Sequence, residues 1–233
     1  MSLTEVDQTP EPEEIPEGAF SKVLRERTAA VHDTAEHTPL TEALLGGTLS
    51  RDGYTLLLGQ LYFVYEALES VAANLRDDPV AAPFCVPELD RLPACEADLA
   101  VLLGDDWRDQ IAPLDATAAY AARIREVGAD WVGGFIGHHY TRYMGDLSGG
   151  IFIGGVVRRT YDLTETHGAS FYTFTDIPSA KAFKDNYRVS LDSAPWDPDE
   201  QVAIVDEIIS AYGRNTALFA DVWDAIAESS LDG

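Results

Sequence analysis

Asp146 lies in the stretch HHYTRYMGDLSGGIFIGG, residues 138–155, among glycines at 145, 149, 150, 154 and 155. The surrounding pattern is helical, and a glycine inside a helix costs about 1 kcal/mol against alanine. Gly145 and Gly149 are four residues apart, so with Arg142 they share one helix face. Removing Cβ along such a stripe permits very close approach. On spacing alone two readings stay open: another helix packed tightly on the stripe, or a flat ligand lying against the backbone. Asp146 bears on the choice. A carboxylate is poor material for helix packing but a good anchor for water or a proton relay.

The five histidines stand at 32, 37, 138, 139 and 167. His32 falls on the apolar face of a first helix, aligned with Thr28 and Ala35, and Glu36 follows four residues later. A carboxylate on one imidazole nitrogen fixes the tautomer and leaves the other free as a neutral metal ligand. The plainer alternative is an ordinary i,i+4 pair. His37 ends that helix and is expected at the surface. His138 and His139 are adjacent, so at most one is expected to face the core. No histidine has Glu or Asp three residues before it, so the Glu-x-x-His pairs of di-iron carboxylate bundles are missing. The cations gather on two helices: Lys22 and Arg25 on the first, and Lys181, Lys184 and Arg188 at i, i+3, i+7 on a later one. Each pair taken alone reads as a solvated face. Two basic edges in an acidic chain suggest an anionic ligand bearing carboxylates.

The elements that must position these residues are helical almost throughout. Helices are expected over about 18–37, a short second one capped by Thr38 and stopped at Gly46–Gly47, and a long third from the Ser50 cap. Further helices read over 87–104, 115–128, 131–161, a segment entered through Pro178, and 198–228. FYTF at 171–174 is too short to suggest a sheet, and no repeat is visible. The fold class is therefore all-α, a single helical domain over residues 18–229 behind an acidic, disordered leader at 1–17.

The 233 residues are 46% hydrophobic, enough for one substantial core. No apolar run approaches the length of a membrane span. The formal charge of −24 argues against nucleic acid and anionic membranes as partners. Two cysteines without a secretory signal favour a reduced, cytoplasmic protein. Walker, dinucleotide-binding, Cys-x-x-Cys and Gly-x-Ser-x-Gly motifs are absent.

LRERTAAVHDTAEH, YFVYEALE, YTRYMGDLSGG, FYTF…AFKDNYR and RNTALFADV resemble, in order, successive blocks of the haem oxygenases. The likeness spans about residues 20–222, and the YTRYxGDLSGG block is highly specific. The resemblance implies haem sandwiched between the first helix and a kinked, glycine-rich one. It makes His32 the iron ligand and Glu36 the holder of its other nitrogen. Gly145, Gly149 and Gly150 become the backbone wall over the haem. Asp146 becomes the catalytic aspartate acting through water, supported by Tyr65, Arg142 and Asn215. Arg25, Tyr140, Lys184 and Arg188 fall at positions that bind the haem propionates. There are departures from the family pattern: Arg25 for a usual lysine, Met144 for leucine and Ile151 for glutamine.

The activity so implied is cleavage of haem at a meso carbon with O2 and external electrons, giving biliverdin, carbon monoxide and ferrous iron. The implied partners are haem and an electron donor such as a ferredoxin or NAD(P)H-dependent reductase, serving a monomer. Family members usually offer a basic surface to that donor, whereas this chain is strongly acidic. Two rivals remain at this stage. A haem carrier on the same fold would need no proton relay, and a di-iron oxidase would need the missing Glu-x-x-His pairs.

Overall fold

The computed structural model describes residues 19–229, and the expected leader lies outside them. Among the described residues nine α-helices follow in order: α1 Phe20–Glu36, α2 Pro39–Leu45, α3 Arg51–Leu75, α4 Leu92–Leu103, α5 Asp115–Asp130, α6 Val132–His139, α7 Ile151–Tyr161, α8 Ala180–Ser193 and α9 Pro198–Ser229. Among the described residues there is no strand, and residues 171–174 lie in an irregular loop.

Local chemistry sets most boundaries. Thr38 and Ser50 cap α2 and α3, accepting from the amides of Thr41 at 3.2 Å and Gly53 at 3.0 Å. Gly47, at φ +67°, turns the chain after α2 where an L side chain would be strained. Two expected starts are displaced. The segment expected from residue 87 opens as a short 3-10 turn, Pro87–Leu89, and α4 proper begins at Leu92, with Pro93 in its first turn. The helix expected to enter through Pro178 is instead capped by Ser179, whose hydroxyl accepts from Ala182 N at 3.2 Å.

The span 131–161 reads from sequence as one helix, but the structure divides it. Between α6 and α7 run two π-helical turns, Tyr140–Met144 and Asp146–Gly150, joined at Gly145. Such turns widen and bend a helix, and glycine tolerates the altered backbone.

The 32-residue α9 is the spine, touching α1, α2, α3, α5, α6 and the first π-turn. α3 packs on α5 and α4, while α1 also packs on α8. Seven of the eight residues of α6 are buried, so this helix has no solvent face. That overturns the expectation for the paired histidines, since His138 and His139 both lie in the interior. The packing works because each finds a polar partner: His138 Nε2 with Glu207 Oε1 at 2.8 Å, and His139 Nδ1 with the Tyr187 hydroxyl at 2.9 Å. His37, by contrast, is exposed at the end of α1.

Candidate functional site

Glycines in the α6–α7 region serve two different ends. On α6, a Cβ added at Gly133 would lie 2.9 Å from Ile204 of α9, and one at Gly137 would lie 3.1 Å from Ile208. These glycines let α9 come close. A Cβ at Gly154 would lie 2.7 Å from Tyr172. At Gly145 and Gly149 an added Cβ meets no atom within 4 Å, and neither residue has a positive φ. Neither packing nor backbone conformation within the chain requires glycine there. The stripe faces open space.

That space is a slot between α1 and the π-turns, lined on the π-turn side by Gly145, Gly149 and Gly150 and on the α1 side by His32 and Glu36. Its inner portion measures about 950 Å³, part of it open to solvent. Leu57, Leu61, Phe171, Tyr172 and Phe219 make its deep end apolar. A second portion, sharing His32, Gly145 and Ser148, forms the mouth, where Arg25, Tyr140, Lys184 and Arg188 meet. The two basic helices named from sequence thus contribute to one opening. Lys181 and Lys22 do not join them there; they pair along their own helices with Asp185 and Glu26.

His32 is half-exposed and borders both portions. Its Nε2 lies 3.7 Å from Glu36 Oε1, an ion-pair distance beyond hydrogen-bond reach. Tyr212 of α9 meets the imidazole edge-on, with centroids 5.7 Å apart. His32 therefore turns to the slot rather than into the core, with one flank against Tyr212.

Behind the glycine wall lies a buried polar network. Arg142 Nη1 donates to Asn215 Oδ1 at 2.6 Å, and its Nε and Nη2 donate to the Tyr65 hydroxyl at 3.3 and 3.2 Å. Tyr65 in turn donates to Asp146 Oδ2 in a short hydrogen bond. Arg142 Nη2 stands 3.8 Å from Asp146 Oδ1. Burial pushes the Asp146 carboxyl above the ordinary carboxylate range, although Arg142 and the Tyr65 hydrogen bond pull it down. Burial likewise lifts the Tyr65 phenol well above its usual value, so it stays a donor. A carboxyl shifted upward in this way, on the edge of a slot, is a candidate proton donor and acceptor.

Every residue to which the resemblance assigns a role thus falls on the slot, its mouth or the network behind it. Two residues of the slot, Tyr212 and Ser148, were not singled out. Tyr212 shares a stripe with Asn215 and Phe219 at i, i+3, i+7, a spacing that was readable. Ser148, whose hydroxyl accepts from Lys184 Nζ at 2.9 Å, gave no signal because its partner is 36 residues away.

Fold and site together define an all-α protein with an apolar slot that opens at a cationic mouth, beside a histidine and a buried carboxyl network. The Heme oxygenase family model matches residues 18–221. Heme oxygenase 1 of the cyanobacterium Synechocystis is 36% identical over 199 residues, covering 85% of this chain and 82% of that protein. Human heme oxygenase 1 is 34% identical over 227 residues, covering 97% and 78%. The crystal structure of Synechocystis heme oxygenase-1 in complex with heme superposes with a TM-score of 0.84 at 34% identity, covering 92% of this chain and 99% of that one. The chain belongs to the haem oxygenase family.

Proposed function

We propose that this chain binds haem in the slot, with His32 on the iron, and cleaves it at a meso carbon with O2 and external electrons, releasing biliverdin, carbon monoxide and ferrous iron. The observation that carries this reading is the pair of open glycines, Gly145 and Gly149, across the slot from His32. A porphyrin is flat, apolar over most of its area and carboxylated along one edge. Backbone on one wall, imidazole on the other, an apolar deep end and a cationic mouth complement it. Bound haem supplies the iron that binds O2 and the ring carbon that is oxidised.

The chain's own part is binding and proton handling. His32 holds the iron, with Glu36 near enough to orient its imidazole once a ring nitrogen turns toward it. Arg25, Tyr140, Lys184 and Arg188 hold the propionates. With no side chain at 145 and 149, this wall would leave room for oxygen between the backbone and a bound ring. Asp146, through ordered water, delivers protons into that space. Tyr65, Arg142 and Asn215 keep its carboxyl in place, and the relay speaks against a carrier.

Electrons come from a separate donor, such as a ferredoxin or an NAD(P)H-dependent reductase. Charge segregation supports docking at the mouth. Helices α1 and α8 together carry six basic and five acidic side chains, leaving ten basic and 35 acidic for the rest of the chain. An acidic donor face is repelled least there. We read the protein as a cytoplasmic monomer; both cysteines are free and buried, and among the described residues no helix is long and apolar enough to cross a membrane.

The test is to add hemin, record the Soret band, then supply ascorbate or a reductase in air. Conversion to a biliverdin spectrum is expected, and a stable complex would point to a carrier. Asp146→Ala should keep the Soret band and lose biliverdin; normal turnover would overturn the relay. His32→Ala should alter the Soret band by removing the residue that would hold the iron, and an unchanged spectrum would exclude His32 from that role.

A further inference from the structure

Three buried ionisable side chains have no part in the chemistry above, yet two of them bind one loop and the third fixes the backbone of one of those two. Glu69 of α3, Arg91 just before α4 and Asp98 of α4 expose 9%, 6% and 1% of their surfaces. Glu69 Oε1 accepts from the amides of Arg91 and Leu92 at 2.5 and 3.0 Å, fixing the start of α4. Arg91 Nη1 donates to the carbonyls of Phe171 at 3.3 Å and Thr173 at 2.7 Å, and its guanidinium carbon lies 3.8 Å from the Phe174 ring centre. Asp98 holds the same loop from its other end. Its Oδ1 accepts from the Ser170 amide and hydroxyl at 2.9 and 2.7 Å, and its Oδ2 from the Phe171 amide at 2.7 Å.

Burying charges is costly unless they are fully hydrogen-bonded, and an apolar contact would cover the loop at less cost. What the charges add is geometry. A planar guanidinium reaching two carbonyls two residues apart leaves the loop little room to shift. The loop carries Phe171 and Tyr172, which line the deep end of the slot. Phe171 also packs edge-on against Tyr65, centroids 5.1 Å apart, and Tyr172 abuts α7 at Gly154.

A disc held in a slot keeps one freedom, rotation in its own plane. At the mouth the restraining cations include the exposed Arg25 and Arg188, on long flexible stems. The deep wall restrains rotation by close packing, provided the wall itself is fixed.

We propose that Arg91, anchored by Glu69 and joined by Asp98 at the other end of the loop, is a positioning residue that sets the in-plane orientation of the macrocycle and so the ring carbon that is cleaved. This inference rests on the haem-cleaving reading. Its test compares wild type with Arg91→Met, Arg91→Lys and the isosteric Asp98→Asn. One readout is the biliverdin isomer distribution by chromatography. The other, independent of turnover, is the number of haem orientations seen by proton NMR of the ferric cyanide complex.

A minor isomer and a second orientation should rise at least fivefold in Arg91→Met and Asp98→Asn, and less in Arg91→Lys, with haem affinity within threefold of wild type. Unchanged isomer ratios and orientations in variants that bind haem would overturn the proposal. So would loss of haem binding in all three variants, which would reduce the clamp to a folding role. Wild type that binds haem without cleaving it would refute the enzyme reading and still let NMR decide the clamp. Wild type that binds no haem would sink both.

Discussion

At Gly145 and Gly149 the missing atoms carry the functional argument. A helix-interior glycine is destabilising unless something needs the space, and within the chain nothing does. Gly145→Ala and Gly149→Ala should therefore leave the ligand-free protein as stable as wild type, or up to about 1 kcal/mol more stable. Haem titration should show weakened binding in the same variants. Gly128→Ala is the contrast, because its Cβ would lie 2.3 Å from Val71 Cγ1. Chemical denaturation should show it less stable by about 1–3 kcal/mol. Loss of stability at 145 or 149 of the size seen at 128 would contradict the assignment. Asp146 illustrates the complementary point. Its sequence position announced a carboxylate near the stripe, but its usefulness depends on burial, which raises it, and on Tyr65 and Arg142, which hold and orient it.

At the scale of elements, α6 and the π-turns behave as two halves of one segment. The first half is buried on all sides, and burial holds the His139 imidazole down to a pKa of about 3. The unfolded chain takes up this proton below pH 6.5, while the folded chain refuses it until about pH 3. Stability contributed by this residue is thus complete above 6.5 and falls as pH drops, at about 1.4 kcal/mol per pH unit within that window. Urea denaturation at pH 6.5 and pH 5 should show a loss in wild type that His139→Gln lessens by roughly 2 kcal/mol. An equal loss in both would mean that His139 is protonated in the fold. Glu207 acts at lower pH. Burial alone would raise its carboxyl, but hydrogen bonds from His138 and Arg123 carry it down to about 2. The second half carries the open glycines over the slot on two π-turns, the first of which still meets α9.

Across the whole molecule the charge of −24 is unevenly distributed. The α1–α8 face is close to neutral, and the acid lies over the remainder, where like charges repel. Raising NaCl from about 0.05 to 1 M shortens the screening length from beyond 10 Å to about 3 Å. The ligand-free protein should then melt higher, by on the order of 5 °C. A falling Tm would show that attractive pairs outweigh the repulsion.

The sequence by itself determined the helical fold, most element boundaries, the Thr38 and Ser50 caps, and the residue types at the site. Periodicity and capping are local properties, read within a few residues. Only the tertiary structure decided what the glycines are for. Packing and an open ligand face leave the same spacing in sequence, and they part only when a neighbouring helix is found at Gly133 and Gly137 and none at Gly145 and Gly149. The same holds for the paired histidines, whose shared burial depends on Glu207 and Tyr187, 69 and 48 residues away. Such contacts form through space, and a linear pattern carries no record of which distant side chain arrives.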